Sequence, residues 1–217
     1  MMRSKLRLRE TLGLICLFLT IVALSITITI NFRPLYLFDI QHLNILKDVE
    51  VDRVTLIKNY DHLMMYLNNP FEKTLVFPDF PMSDSAAFHF YEVKVLMNRL
   101  EVIGLVVLIG TIYLIYSTVK ENDYRPFKWA GFTTLGLVFI VGGTAYVDFD
   151  GAFTMMHHIL FNNNYWLINP DIDPIINIFP ESYFVTLGIA LFSLIGIGVL
   201  INLGIYFKHI NCINTNK

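Results

Sequence analysis

Histidine is the chemistry this chain offers. Of its six histidines, His42 and His62 lie in polar surroundings that mark them as solvated, and His209 follows the last apolar stretch as an interface residue. His89 and His157 differ, because each falls on a helical pattern among apolar neighbours. On spacing alone two readings of them stay open. Each is a packed imidazole bonded to backbone carbonyls, or the two form an acid–base pair assembled from separate segments. In the second reading, partial burial lowers the imidazole pKa below its reference of about 6.5 and leaves a neutral ring able to accept a proton. A third reading makes His89, His157 and His158 metal ligands. It is the weakest, because adjacent helical residues point about 100° apart and rarely share one ion.

The sequence has no G-x-S-x-G elbow, no P-loop, no H-E-x-x-H and no C-x-x-C, so the common hydrolase, nucleotide and zinc signatures are missing. Cys16 sits inside an apolar run behind the bulky Ile15, a poor lipid-attachment context. Cys212 lies near the C-terminal end, and no structural disulfide is implied.

The elements that must position the histidines are dominated by lipid-length helices. The chain is 55% hydrophobic with a mean hydropathy of +0.55, above the usual share for a soluble domain. The excess gathers in four runs without Lys, Arg, Asp or Glu: 11–30, 102–119, 129–147 and 183–207. At about 1.5 Å per residue, each is long enough to cross roughly 30 Å of hydrocarbon, and each satisfies its own backbone without stranding a charge. The expected fold is therefore all-α: a polytopic, single membrane domain over 1–217 with four transmembrane helices. Basic residues set its orientation. Arg3, Lys5, Arg7 and Arg9 precede the first run, Lys120, Arg125 and Lys128 lie between the second and third, and Lys208 and Lys217 follow the fourth. The positive-inside rule then puts both termini in the cytoplasm and segments 31–101 and 148–182 outside. Ala23-Leu24-Ser25 loosely fits a signal cleavage site, but the run continues past it, and an uncleaved anchor is expected.

Both outer segments carry helix signals. Asp52 is expected to cap a helix over 52–68 with Val54, Ile57, Met64 and Leu67 on one face, stopped by Asn68-Asn69-Pro70. The stretch 71–81 reads as irregular or a short β excursion. Ser83-Asp84-Ser85 starts a helix that carries His89 and runs on into the second span. In the other segment, Asp150 is expected to cap a helix over 151–161 with Phe153, His157, Leu160 and Phe161 on one face. His158 falls with Thr154 and Asn162 on a more polar face. Asn162-Asn163-Asn164 ends this helix, Trp166 anchors at the interface, and Asp173-Pro174 opens a short helix closed by Pro180. Glycines in the third and fourth runs, among them Gly131, Gly136, Gly143, Gly196 and Gly198, permit close helix packing.

Two stretches carry a resemblance. Met156-His157-His158-Ile159-Leu160-Phe161, with Trp166, Asp173-Pro174 and Phe179-Pro180-Glu181 after it, resembles F-H-x-x-F-F…W…P…D…F-P-E, a motif of the bacterial lipoprotein intramolecular transacylases. His89-Phe90-Tyr91-Glu92-Val93-Lys94 is similar to that family's H-(M/L)-x-D-V-K. Glu92 stands in place of Asp, Met156 in place of Phe and Asn169 in place of Asp, and Ala86 occupies a position where an acid is common, with Asp84 nearby.

The resemblance implies a four-span enzyme of the bacterial plasma membrane with its site at the outer leaflet. It would act on diacylated lipoproteins among membrane lipid. The acyl chain moves from the sn-2 ester of the diacylglyceryl group to the α-amino group of the N-terminal Cys, giving the lyso form. His89 and His157 would be the catalytic acid–base pair, with Tyr91, Glu92, Asn162 and Trp166 contacting substrate. No metal, organic cofactor or nucleic-acid partner is expected. The residues present suit that chemistry. The nucleophile is the substrate's own amine, so the enzyme needs to supply geometry and proton transfer rather than a Ser or Cys. The rival readings are a membrane scaffold whose outer loops bind a partner, and a membrane metal-dependent hydrolase.

Overall fold

The computed structural model describes the backbone of residues 2–47 and 49–215, with side chains from Leu8 onward. The Arg3, Lys5 and Arg7 side chains and Lys217, used in the orientation argument, lie outside the described residues. Every regular element among the described residues is helical. In chain order these are α1 (Met2–Asn31), α2 (Arg33–His42), α3 (Arg53–Asn68), α4 (Asp84–Glu121), α5 (Arg125–Leu137), α6 (Gly143–Val147), α7 (Phe149–Leu160) and α8 (Glu181–Thr215). Short 3-10 turns occupy Ile45–Lys47 and Pro174–Ile178, and a π segment, Val138–Gly142, joins α5 to α6. Four helical stretches are long and apolar enough to cross a membrane: Leu8–Asn31, Asp84–Glu121, Arg125–Val147 and Glu181–Thr215. The four uncharged runs read from the sequence fall inside them. Large apolar side chains point outward on these helices, such as Tyr113, Phe139 and Leu200, each about two-thirds exposed or more. Such surface suits lipid, not water.

Residues form two compact units: 1–27, 101–147 and 190–217 make one, and 28–100 with 148–189 make the other. The first unit holds the apolar runs. Its helices approach through small residues where a side chain would collide. A Cβ on Gly131 would meet Leu203 at 2.6 Å, and one on Gly198 would meet Ile21 at 2.8 Å. Gly136, Gly143 and Gly196 face open space instead, so only part of the glycine pattern serves packing. Thr20 and Thr111 share a buried hydrogen bond of 2.7 Å between α1 and α4. At one end of this unit Arg9 pairs with Glu121 and Asp123, and Arg125 pairs with Glu10 at 2.7 Å and with Asp123 at 2.8 Å.

The second unit has its own core, and tyrosines dominate it. Tyr36 of α2 and Tyr60 of α3 stack at 3.9 Å with planes 8° apart, and Tyr183 at the start of α8 meets Tyr36 edge-on. The buried Tyr36 hydroxyl donates to the Ile178 carbonyl at 3.1 Å, so the ring buries its body without orphaning its polar end. The neighbouring Ile40, Ile45, Leu56, Ile175 and Ile178 are all at most 1% exposed. The sequence pattern gave no sign of α2. Arg33-Pro34 starts it with Pro in the first turn, where the missing N–H costs nothing.

Asp52 caps α3 as expected, its Oδ1 accepting from Thr55 N at 2.7 Å. The expected face of α3 is only partly right: Leu67 is buried and Ile57 and Met64 pack partly buried against the core, but the fully buried stripe is rotated from it. Leu56, Tyr60, Leu63 and Leu67 point inward, while Val54 is 74% exposed. Residues 71–81 contain no strand, although Leu75 and Phe77 are buried. Near His157 the cap is two residues earlier than expected. Asp148 caps α7, its Oδ1 accepting from Gly151 N at 2.9 Å, and Asp150 lies in the first turn. Gly151 makes this possible, since a Cβ there would lie 2.2 Å from the Asp148 carboxylate. The Asp173-Pro174 helix is present as one 3-10 turn, but Asp173 does not cap it. Its buried carboxylate accepts from Ser83 N at 2.6 Å and Ser83 Oγ at 2.7 Å, tying the loop before α8 to the start of α4.

Candidate functional site

Two helices of the second unit bring the histidines together. α4 is uninterrupted from Asp84, so His89 is held on a rigid rod well ahead of the uncharged run that begins at Val102. Ala86, one turn earlier, is 1% exposed and packs in the core, and Asp84 is exposed at the helix start. α7 presents His157 near its C-terminal end. The ring centroids of His89 and His157 are 6.1 Å apart, and the residues are 7% and 8% exposed. Two residues separated by 68 positions in the chain thus share one apolar chamber.

Aromatic rings wall that chamber. Phe161 packs edge-on to His89 at 4.9 Å and lies 5.7 Å from His157. Phe153 sits 4.1 Å from His157, and Trp166 stacks on His157 at 4.8 Å with planes 28° apart. Phe153, His157 and Phe161 therefore share a face as the spacing implied, while Leu160 is 44% exposed. His158 is exposed and meets Trp166 edge-on, with ring centroids 5.3 Å apart. Among the described residues no three His, Cys, Asp or Glu side chains converge as metal ligands.

Hydrogen bonding sets the protonation of the pair. His157 Nδ1 lies 2.7 Å from the Phe153 carbonyl, which only accepts, so Nδ1 carries the proton and Nε2 keeps its lone pair. His89 Nδ1 is buried with no partner among the described residues. Burial pushes the His89 pKa down to about 4, reinforced by the charge His157 would carry. Burial also lowers the His157 pKa, partly offset by the Phe153 carbonyl bond and lowered further by His158. Both rings are thus neutral near pH 7, as a proton acceptor must be.

The remaining sequence candidates divide. Trp166 joins the chamber through its stack on His157. Glu92 follows His89 by three residues on the same side of α4, and its Oε1 accepts from Asn163 Nδ2 at 2.8 Å. Tyr91 stands about 200° round α4 from His89. It is half exposed and lines a different groove with Pro70, Glu72, Lys94 and Asn98. Asn162 is exposed. Its neighbour Asn163, which the sequence offered only as a helix stop, is the connecting residue. Asn163 donates to Glu92 and accepts from Tyr165 N at 2.9 Å, and its carbonyl receives Trp166 Nε1–H at 3.0 Å. One side chain and its backbone thus link α4 to the ring that covers His157. A run of three asparagines carries no signal that singles out the middle one.

The model of a family described as lipoprotein intramolecular transacylase Lit matches residues 11–184. No curated protein matches the chain by sequence. Among solved structures, the fold is similar to that of the membrane integral lipoprotein intramolecular transacylase Lit from Bacillus cereus, with a TM-score of 0.93 at 23% identity, covering 96% of this chain and 97% of that one. A form of the same Bacillus cereus protein with a histidine-to-arginine mutation matches with a TM-score of 0.86 at 22% identity over 100% of both chains. A histidine-to-alanine form matches with a TM-score of 0.85 at 22% identity, covering 96% and 95%.

Proposed function

The chain belongs to the lipoprotein intramolecular transacylase family, a family of membrane acyltransferases, and we propose that it moves an acyl chain from the sn-2 glyceryl ester of a diacylated bacterial lipoprotein to the α-amino group of that lipoprotein's N-terminal Cys. The observation that carries this reading is the buried pair of neutral imidazoles, 6.1 Å apart with His157 fixed in one tautomer. The amine attacks the ester carbonyl, forming a C–N bond and a tetrahedral oxyanion. The C–O bond to the glyceryl oxygen then breaks. The proton the amine loses is taken up by the histidine pair and then delivered to the departing oxygen, so both rings end neutral as they began. A free α-amino group has a pKa near 8, close enough for a neutral imidazole to remove its proton as the bond forms. Donor and acceptor sit in one molecule, so holding them in register supplies much of the rate. The exposed apolar residues of α7 and its following loop, Met155, Ile159, Leu167 and Ile172, favour seating this chamber in the headgroup region, where the substrate's lipid resides.

Mass spectrometry of lipoprotein N-termini tests the reaction. Cells with this protein should yield N-acyl, S-monoacylglyceryl peptides, and cells without it should retain the diacylglyceryl form. Identical N-termini in the two would overturn the reading and favour a scaffold. The basic residues flanking the apolar runs support an outward-facing site in the bacterial plasma membrane. Single cysteines near Asn69 and near Asn163, in a background without Cys16 and Cys212, should then react with an impermeant thiol reagent in intact cells. Reaction only after lysis would place the chamber on the inner side.

A further inference from the structure

On the side of α4 turned away from His89, Lys94 is a buried cation without an anion. The residue is 5% exposed, yet it forms no ion pair among the described residues. Its ammonium donates to the Glu72 carbonyl and lies 4.1 Å from the centre of the Tyr66 ring. A carbonyl dipole and a ring face offset only part of the cost of burying a full charge. Exposed cations of the same unit are paired: Arg33 with Asp61 at 2.7 Å and Lys58 with Asp79 at 3.1 Å. The most buried cation of the unit is thus the one that lacks a counter-charge.

Lys94 lines a groove of about 320 Å³ together with Glu72, Lys73, Tyr91 and Asn98. Two ammonium groups stand there against one carboxylate, leaving one positive charge to be met. A phosphodiester carries one negative charge, and lysine binds phosphate as a point charge. The half-exposed Tyr91 adds a neutral hydroxyl donor. Asn98 Nδ2 is already engaged, donating to the Lys94 carbonyl at 2.9 Å, so it stiffens the wall. Position identifies the source of the phosphate. Tyr91, Lys94, Val95 and Asn98 follow one another at i, i+3, i+4 and i+7, a single stripe of α4. Asn98 is four residues before Val102, where the uncharged run begins. That is about 6 Å along the helix, within the headgroup layer that flanks the hydrocarbon.

We propose that this groove binds the headgroup phosphate of a membrane phospholipid, with Lys94 as its main contact and Lys73 as its second. The lipid is a bound anchor for the outer segments and not a substrate, since the stripe faces away from the histidine chamber. Equilibrium binding to the full chain in nonionic detergent tests this. The probes are a short-chain phosphatidylglycerol, the diacylglycerol with the same chains, and glycerol phosphate. The second lacks the phosphate and the third lacks the tails. One charge-assisted contact corresponds to about 10- to 100-fold in affinity. Phosphatidylglycerol should bind the unmodified protein that much more tightly than diacylglycerol, and glycerol phosphate should fail to displace it at matching concentrations. Lys94→Gln should erase the preference, and Lys94→Arg, which keeps the charge, should retain part of it. Because Lys94 also holds the Glu72 carbonyl, the exposed Lys73 supplies a second variant that leaves that contact alone. Lys73→Glu should weaken phosphatidylglycerol about 10-fold and leave diacylglycerol unchanged. Equal affinities of the unmodified protein for the two lipids, a comparison needing no substitution, would overturn the site. So would an undiminished preference in Lys94→Gln and Lys73→Glu. Displacement by glycerol phosphate at matching concentrations would overturn the lipid source and leave a site for soluble phosphoesters. No arm reads acyl transfer, so failure here leaves the transacylase reading untouched.

Discussion

Replacing either His89 or His157 by alanine should reduce acyl transfer by about 10²- to 10⁴-fold, the usual contribution of one general acid or base. The double variant should be little worse than the weaker single one, because groups that act on one proton path are strongly non-additive when removed together. Conversion of a diacylated lipopeptide by purified variants, followed by mass spectrometry, reads this directly. The expectation rests on the 6.1 Å ring separation and the shared chamber of Phe153, Phe161 and Trp166. His158→Ala is the internal contrast. His158 is exposed and meets Trp166 edge-on, outside the His89–His157 pair, so this variant should keep substantial activity. Independent, multiplying losses from His89→Ala and His157→Ala would mean that the two rings do not serve one reaction. Full inactivation by His158→Ala at normal expression would mean that the partner of His89 is the other member of the His157-His158 dipeptide.

What the sequence made legible follows from which forces act locally. The four lipid-length runs were visible because hydropathy without charge is a property of a contiguous stretch. The Asp52 cap and the long helix from Asp84 were visible for the same reason, since capping and the absence of breakers act within a turn or two. Helical face marked His89 and His157 as alike but left their pairing open; the motif resemblance implied it, and the structure gives the pair a geometry. Interactions set by tertiary contacts were not legible. Tyr36, Tyr60 and Tyr183 stack across widely separated elements, and no periodicity predicts a buried tyrosine core or the helix α2 that supplies it. Val54 was expected inward by its spacing, yet it is exposed, and Tyr60 is buried on the face of α3 that turns in. Asp150 was the expected cap of α7, and Asp148, two residues earlier, is the same residue type. The structure chooses the one whose carboxylate reaches Gly151 N. Asn163 escaped notice because its role depends on Glu92, 71 positions away.

The same burial that keeps the imidazoles neutral should make the protein sensitive to acid. His89 titrates near 4 in the folded protein and near 6.5 when unfolded. Between those values the unfolded chain binds a proton that the folded one does not, so stability rises with pH there. The contribution is therefore fully present above about pH 6.5 and is lost as pH falls toward 4. A shift of this size corresponds to about 3 kcal/mol at the low end. His157 shifts in the same direction and adds to the effect. The groups facing His89 are few. They are His157 from α7 and the Phe161 and Phe90 rings, with Glu92, three residues on along α4, engaged by Asn163. Carboxylates elsewhere also titrate on acidification, so the informative quantity is a difference between variants. Thermal unfolding of the purified protein, followed by Trp fluorescence from pH 7.5 to 4.5, should show stability falling as pH drops. In His89→Phe, which fills the apolar chamber with a ring that cannot be protonated, the fall should be shallower by most of that amount. Since Trp166 stacks on His157, its fluorescence reports the unit that holds the pair. A variant whose stability declines as steeply as the parent's would show that His89 takes up its proton equally well folded and unfolded. In that case the neutral, proton-accepting state assigned to it near pH 7 would owe nothing to burial.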